Sequence, residues 1–400
     1  MPWRSTGPVE ERLRFVLDAE EKVESMAELC RQYDISRRVG YKWLDRYRQH
    51  GVHGLEDLSR APHVHPNEIP PQLCERIVEL RGEHPFWGAK KLKAYLEKRE
   101  PGTRWPARST INALLKARNL TKPRRRRRRA PGRATPLTVG DRPNLVWTAD
   151  HKGWFKTRDG QRCYPLTICD DFSRFLIVCQ TQNSCAYKEA RPVFERAFRE
   201  YGVPDVIRSD NGSPFASASL TGLTRLSAWW ARLGVLPERI DAGCPEQNGR
   251  HERMHRTLKQ ETTEPPGSTH RTQQRTFDDF RHMYNDERPH EALDMACPAD
   301  LYYPAPRDYP ERQDEQTYPD DVAVRRVGSG GTFKYDGATL YLTRLLKDEL
   351  VGIEQTDRRY AKVHFNLVQL AWLDKYEEKM LPVADYSLRD EAKAQETTRQ

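Results

Sequence analysis

Six consecutive arginines, Arg124, Arg125, Arg126, Arg127, Arg128 and Arg129, limit how this chain can fold more than any other feature. Six adjacent guanidinium groups cannot be taken out of water or paired within one core. The segment has to run along a surface, so the chain on either side must build its hydrophobic cores separately. Residues 122–133 carry eight basic side chains in twelve positions, and 122–141 as a whole reads as an arginine-rich linker. At 400 residues there is room for several domains around it.

The charge divides at the same place. The first 140 residues hold 30 Lys and Arg against 17 Asp and Glu, a net +13, whereas residues 141–400 hold 37 against 41, a net −4. A basic front on a mildly acidic back implies that the front binds a polyanion and the back has another task. A lipid surface is the competing polyanion. No apolar stretch approaches the length of a membrane span, and the N-terminus lacks the apolar core of a secretion signal, so a soluble, intracellular protein is expected. The eight cysteines form no C-x-x-C pair, which argues against a zinc ribbon or redox motif and for buried, reduced thiols.

Residues 1–62 read as a three-helix, helix-turn-helix unit. Leu13, Val16 and Leu17 give the first helix its stripe, and Ser25 to Glu28 has the form of a capping box for the second. Tyr33-Asp34-Ile35 makes a tight turn, and Ser36 can cap a third helix reaching about Gln49. With Val39, Trp43, Leu44 and Tyr47 turned inward, Arg37, Arg38, Tyr41 and Lys42 are left at the end of the helix where a recognition helix meets base edges. An ordinary bundle with a solvated basic face is the plainer alternative. A capped short helix, a tight turn and a basic helix in that order favour DNA.

Pro62, Pro66, Pro70 and Pro71 mark a boundary. A second helix-turn-helix unit follows over 63–121. Leu73, Ile77 and Leu80 lie at helical spacing, a basic helix over about Ala89–Lys98 carries the candidate DNA contacts Lys90 and Lys91, and another helix runs from about Ser109 to Arg118. Next to these units Arg124 to Arg129 are expected to touch phosphates or the minor groove.

From Asn144 the texture becomes β, and 142–303 reads as one α/β domain. Strands are expected over 145–155, 164–169, 175–181, 206–209 and 235–240. Helices are expected over 184–201, with Pro192 kinking it or marking its first turn, and over 220–233. Asp150 lies in a strand beside Trp147, where a carboxylate is costly unless it binds something. Asp210 ends a strand ahead of Asn211-Gly212. The stretch from Ala242 to Lys259 adds two glutamates, Glu246 and Glu252, in a loop and the helix after it. Three carboxylates from separate elements make a site for two divalent metals acting on phosphodiester bonds. Asp170 and Asp171 sit in a hairpin turn, where Asp is common for turn chemistry alone.

This order of elements resembles the ribonuclease-H-like fold, and the motifs make the resemblance more specific. They are Trp147-Thr148-Ala149-Asp150, Asp171-Phe172-Ser173-Arg174, Ser209-Asp210-Asn211-Gly212, Gly249-Arg250-His251-Glu252-Arg253 with Thr257-Leu258-Lys259, and Tyr284-Asn285 with Arg288-Pro289-His290. With Tyr41-Lys42-Trp43-Leu44, His84-Pro85, Trp87-Gly88-Ala89 and the arginine run, they resemble the integrase-type (DDE) transposases of bacterial insertion sequences, which share their core with retroviral integrases. The resemblance spans roughly residues 10–305. It implies that Asp150, Asp210 and a glutamate hold two Mg2+ ions, with Mn2+ able to substitute. It also implies that the enzyme cuts the 3′ ends of a mobile element and joins them to target DNA. The implied partners are double-stranded DNA and at least one further copy of the chain, in the bacterial cytoplasm at the nucleoid. A catalytically silent DNA-binding regulator and a nuclease that only hydrolyses are the alternatives.

The family's usual spacing of 35 residues between the second aspartate and the glutamate fits Glu246, since Glu252 has 41 residues intervening. Local physics favours Glu252. Pro245, Asn248 and Gly249 are helix-start signals, so Glu246 precedes the helix while Glu252 falls in its first turns, on a face shared with Arg256 and Lys259. The motif register agrees, and Glu252 is taken as the third catalytic carboxylate and metal ligand. Arg256 and Lys259 are taken as DNA contacts, with His151 and Asn211 as secondary candidates. Beyond a linker at 304–317, residues 318–376 show the short apolar alternation of a small β-barrel, and 377–400 are expected to be a disordered tail.

Overall fold

The computed structural model describes residues 7–58, 69–121, 137–241, 245–312 and 315–383. Arg124 to Arg129 and the tail beyond residue 383 lie outside them. The chain divides into two compact units, Met1–Pro70 and Pro71–Gln400, each described by itself.

Among the described residues, three α-helices build the first unit, α1 (Pro8–Glu21), α2 (Met26–Gln32) and α3 (Arg37–His50), with a 3-10 turn at Gly51–Leu55 after them. Ser25 Oγ accepts from Glu28 N and Ser36 Oγ from Val39 N, both at 3.3 Å, fixing where α2 and α3 start. Only half of the expected box forms at α2, because the Glu28 carboxylate pairs with Arg31 at 2.6 Å instead. Asp34 takes the left-handed conformation that the tight turn needs (φ 51°). Val39 stays exposed, and Gly40 takes the inward place beside Trp43 and Leu44. A Cβ at Gly40 would come within 2.7 Å of Cys30 Sγ and 2.9 Å of Phe15 Cζ, so α3 packs at a distance only glycine allows.

The second unit begins with α4 (Pro71–Glu83), α5 (Ala89–Arg99) and α6 (Arg108–Ala117), packed around Ile77, Leu80, Trp87, Leu92, Leu96 and Ile111. Then come β1 (Val146–His151), a small hairpin of β2 (Phe155–Lys156) and β3 (Arg162–Cys163) that the sequence pattern does not reveal, β4 (Leu166–Asp170) and β5 (Leu176–Gln180). Helix α7 (Tyr187–Tyr201), β6 (Val206–Ser209), α8 (Arg225–Arg232) and β7 (Leu236–Arg239) follow. Pro192 sits inside α7, not in its first turn. The buried face of Ala190, Val193, Phe194, Ala197 and Phe198 holds the helix to the sheet despite the lost backbone donor. Helix α8 starts later than expected, at a capping box of Thr224 and Ser227.

The five main strands form one sheet in the order β5-β4-β1-β6-β7, antiparallel from β5 to β1 and parallel from β1 to β7. This mixed order is that of the ribonuclease-H-like fold. On it lie α9 (Gly249–Thr262) and α10 (His270–His282). The Asn285 amide bonds both the N–H and the C=O of Leu176, at 2.8 and 3.0 Å, and so pairs with edge strand β5 as a neighbouring strand would. Arg288 and Glu261, both largely buried, pair at 2.6 Å and tie the same segment to α9.

The C-terminal part departs from the expected barrel. Strands β8 (Ala323–Arg326), β9 (Thr332–Tyr335), β10 (Ala338–Tyr341), β11 (Leu350–Gln355), β12 (Tyr360–Phe365), β13 (Val368–Asp374) and β14 (Lys379–Leu381) form an open antiparallel sheet, β14-β13-β12-β11-β8, and a separate β9–β10 hairpin. Closure would need a ladder between the two edge strands, which are only four and three residues long. Phe333 and Leu340 of the hairpin instead share a core with the sheet and with Leu223, Ala228 and Ala231 around α8. The expected linker is also held: Arg307 donates to the carbonyls of Leu233 (3.0 Å) and Gly234 (3.1 Å).

Candidate active site

Strand register brings the two aspartates together. In the parallel pair β1–β6, Ala149 stands opposite Ser209, so Asp150 and Asp210 are the next residues along two neighbouring strands at the same end of the sheet. Adjacent strands lie about 4.8 Å apart and in-register side chains share a face. Asp210 Oδ1 accepts from Gly212 N at 3.1 Å, and the Asn211 amide donates to Ile240 O at 2.8 Å, which anchors the turn beyond β6 to the chain after β7. Asn211 therefore braces this loop.

Helix α9 carries Glu252, the glutamate expected as the third carboxylate. Its buried positions are His251, Met254, His255, Leu258 and Thr262, the spacing of a helix laid on a sheet. Glu252, Arg256 and Lys259 lie on the exposed side. Pro245–Asn248 forms a 3-10 turn, so Glu246 precedes the helix and Glu252 falls in its first turn. The N-terminal end of α9 is pinned by Arg250, which donates to the buried Asp171 carboxylate at 2.7 Å. Asp170 has a different use: it accepts from Asn144 N and Ser173 N, both at 2.7 Å, closing the hairpin turn. Neither turn aspartate belongs with Asp150.

Burial and charge act together on Asp150. Desolvation, then the nearby charge of Asp210, raises its carboxyl to about 7; the His151 backbone and Lys152 pull the other way, and the charge of Glu252 adds the weakest upward push. Asp210 and Glu252 thus bear electrostatically on one carboxyl. Such a cluster resists full ionisation until a cation arrives, and carboxylate oxygens are the donors a hard divalent metal takes.

Behind Asp150 is a buried polar group that the sequence motifs do not announce. Thr148 Oγ1 lies 2.8 Å from His251 Nδ1, and Thr167 Oγ1 lies 2.7 Å from Nε2 of both His251 and His255. Thr167 also donates to the main-chain oxygen of Asp150 at 3.0 Å. His255 Nδ1 is 3.6 Å from Asp150 Oδ2, and Asp150, His251 and His255 together have the spacing of possible metal ligands. Burial pushes His251 down to about 3 and His255 well below its ordinary value, so both rings are neutral. The one signal in the sequence is the i, i+4 spacing of two histidines on the apolar face of α9.

The other expected DNA-binding and secondary residues fall into two groups. Arg37, Arg38, Tyr41 and Lys42 are exposed on the first half of α3, with the Lys42 ammonium over the Trp43 ring at 4.8 Å. Arg256 is exposed and has no ion pair among the described residues, while Lys259 is 3.9 Å from Glu264. Lys90 and Lys91 instead face their own unit. Lys90 pairs with Glu291 at 3.0 Å, and burial, chiefly, lowers Lys91 to about 7. His151 bonds Gln182 at 2.9 Å and packs beside Phe215, a structural setting.

Comparison with known proteins follows the same division. Residues 11–63 match a helix-turn-helix domain and 39–115 a homeodomain-like domain. Residues 140–245 and 233–298 match two models of the integrase core domain. A 31.7 kDa protein of insertion element IS407 from Burkholderia multivorans is 27% identical over 238 residues, covering 59% of this chain and 82% of its own. A 39.2 kDa protein of insertion element IS476 from Xanthomonas euvesicatoria is 27% identical over 251 residues, covering 61% and 69%. Among solved structures, the catalytic core domain of HTLV-2 integrase in complex with magnesium aligns with 41% of this chain and 100% of its own, at 14% identity and a TM-score of 0.31. Among the described residues no helix is long and apolar enough to cross a membrane.

Proposed function

Because this chain belongs to the integrase-type transposases of insertion elements, with helix-turn-helix domains ahead of an integrase core, we propose that it cuts the ends of a mobile element and joins them to target DNA. The observation that carries this reading is the placement of Asp150 and Asp210 directly after the paired residues Ala149 and Ser209, with the charge of Asp210, and more weakly that of Glu252, raising the Asp150 carboxyl.

Asp150, Asp210 and Glu252 would hold two Mg2+ ions, with Mn2+ able to replace them. When bound, such ions offset the carboxylate charge and stabilise the attacking and leaving oxygens of an in-line displacement. The protein's own groups do the rest. Arg37, Arg38, Tyr41 and Lys42 of α3 bind the repeat at the element end, and Arg124 to Arg129 add phosphate contacts. Arg256 and Lys259, on the exposed side of α9 with Glu252, hold the scissile strand beside the carboxylates. Water first breaks the phosphodiester at the element's 3′ end and frees its 3′-hydroxyl. That hydroxyl then attacks a target phosphodiester, forming the new P–O bond as the target's own 3′-oxygen leaves. Two copies of the chain at least would pair the two ends.

Incubation of a labelled element-end duplex with target plasmid tests the proposal. The wild type yields cut and joined products. Asp210→Asn and Glu252→Gln lower both by roughly 10³-fold, the scale of a loss of several kcal/mol of charge stabilisation, and Glu246→Gln leaves joining intact. Joining unaffected by Asp210→Asn would overturn the catalytic assignment, and cut products without joined ones would reduce the activity to hydrolysis.

A further inference from the structure

A count of hydrogens behind Asp150 leaves one nitrogen bare. Thr167 Oγ1 has three partners: the main-chain oxygen of Asp150 at 3.0 Å, and Nε2 of His251 and of His255, each at 2.7 Å. A hydroxyl carries one hydrogen and two lone pairs, and a carbonyl can only accept. Thr167 therefore gives its hydrogen to Asp150, and both imidazoles must donate their Nε2–H to Thr167. Each ring then has only its Nδ1 left for a further partner. That of His251 faces the Thr148 hydroxyl at 2.8 Å, well inside the 3.3 Å that separates the same hydroxyl from the Cys169 carbonyl oxygen. That of His255 is aimed at Asp150 Oδ2, 3.6 Å away.

A bare nitrogen facing a carboxylate oxygen is an unfavourable pair that a shared proton or a cation between them relieves. The separation exceeds a hydrogen bond. It suits two ligands of one ion, since donors about 2.2 Å from a metal lie about 3.1–3.6 Å apart at octahedral to tetrahedral angles. The ring has little freedom to turn away: His255 is 5% exposed, and His251 packs edge-on against it at 4.6 Å. We propose that His255 Nδ1 binds, together with Asp150 Oδ2, one of the divalent cations of the carboxylate site. This rests on the reading of that site as a metal centre and makes one of its two positions a mixed nitrogen–oxygen site. Imidazole suits transition ions and Mg2+ prefers oxygen, so this position should favour Mn2+ over Mg2+.

Electron spin-echo modulation on the full chain loaded with Mn2+ tests it without an activity assay. A directly bound nitrogen is expected in the wild type, and it should change pattern when the histidines are labelled with 15N. The coupling should vanish in His255→Leu and persist in His251→Gln and His151→Gln, with the Mn2+ dissociation constant raised at least about tenfold in His255→Leu. Should His255→Leu fail to fold, the isotope exchange and the two other variants still identify the nitrogen. Mn2+ that binds through Asp210 but shows no nitrogen coupling would overturn the His255 assignment and leave the carboxylate site standing. Coupling that survives His255→Leu would overturn it too, and failure to bind Mn2+ at all would overturn both readings.

Discussion

Helices α3 and α5 look alike in the sequence and are used differently in the fold. Each is short, basic and amphipathic, and each follows a helix-turn-helix pattern. On α3 the cations stand clear: Arg37, Arg38 and Lys42 are exposed, and none is in an ion pair among the described residues. On α5 the cations are engaged. Lys90 pairs with Glu291, Lys98 with Asp300 at 2.8 Å and Arg99 with Glu287 at 3.7 Å, while Lys91 is half-buried. A basic stripe therefore marks a surface that meets negative charge, and only the rest of the fold decides whether that charge is DNA or the protein itself. Among the described residues of the second helical unit, the exposed basic residues outside α5 are Arg104, Arg108, Lys116 and Arg118, in and around α6.

The largest effect expected from this contrast is on α3. Replacing Arg37 and Arg38 together by alanine should weaken binding to element-end DNA by about 10- to 100-fold near 0.15 M salt. It should also lower the slope of log K against log salt by about two, one for each phosphate that the variant no longer neutralises. An unchanged slope with relaxed sequence preference would mean that both arginines read base edges. Unchanged binding would remove α3 as the recognition helix.

What can be read from the sequence follows the range of the forces involved. Asp150 and Asp210 are legible because each stands at the end of a β-patterned run, and Glu252 because Pro245, Asn248 and Gly249 announce a helix just before it. The histidine pair is present as letters, yet its role depends on Thr148 and Thr167, which reach it only when β1, β4 and α9 pack together. Gly40 escapes notice because glycine carries no hydrophobic signal, although it sets the approach of α3 to Phe15 and Cys30. Lys90 and Lys91 resemble DNA-binding residues because the partner of Lys90 lies about two hundred residues away in sequence, beyond any local pattern. The barrel is suggested by strand alternation, which says nothing about whether edges meet.

A smaller effect is expected at Lys91, where desolvation dominates and the charges of Arg288 and Arg253 oppose those of Glu261 and Glu291. An ordinary lysine keeps its proton to about 10.5, and folded Lys91 gives it up near 7. Between those values the unfolded chain binds more protons than the folded one. Stability should therefore climb as pH rises from 7 towards 10, with the full burden present below 7. Lys91→Met keeps the volume and removes the charge. It should raise the melting temperature at pH 7 by about 2–4 °C and flatten the rise with pH, with little change in DNA affinity. A lower melting temperature in Lys91→Met would mean that the ammonium is held by its carboxylate neighbours more strongly than burial opposes it.

The smallest effect is expected at Lys90, and it separates the two uses of a basic helix most sharply. Its pair with Glu291 is solvent-exposed on both sides, at 42% and 59% of the side-chain surface. Pairs of this kind contribute about 0–1 kcal/mol, so Lys90→Ala should shift stability barely above measurement error. If the cation remains committed to Glu291, DNA affinity should stay within about twofold of wild type and the salt slope should not move. If DNA draws Lys90 away from Glu291, the slope should fall by about one, because one fewer counterion is released on binding. Glu291→Ala then discriminates further. Freeing Lys90 should strengthen DNA binding only if a phosphate lies within its reach, and an unchanged affinity would leave α5 as an internal brace of the second unit.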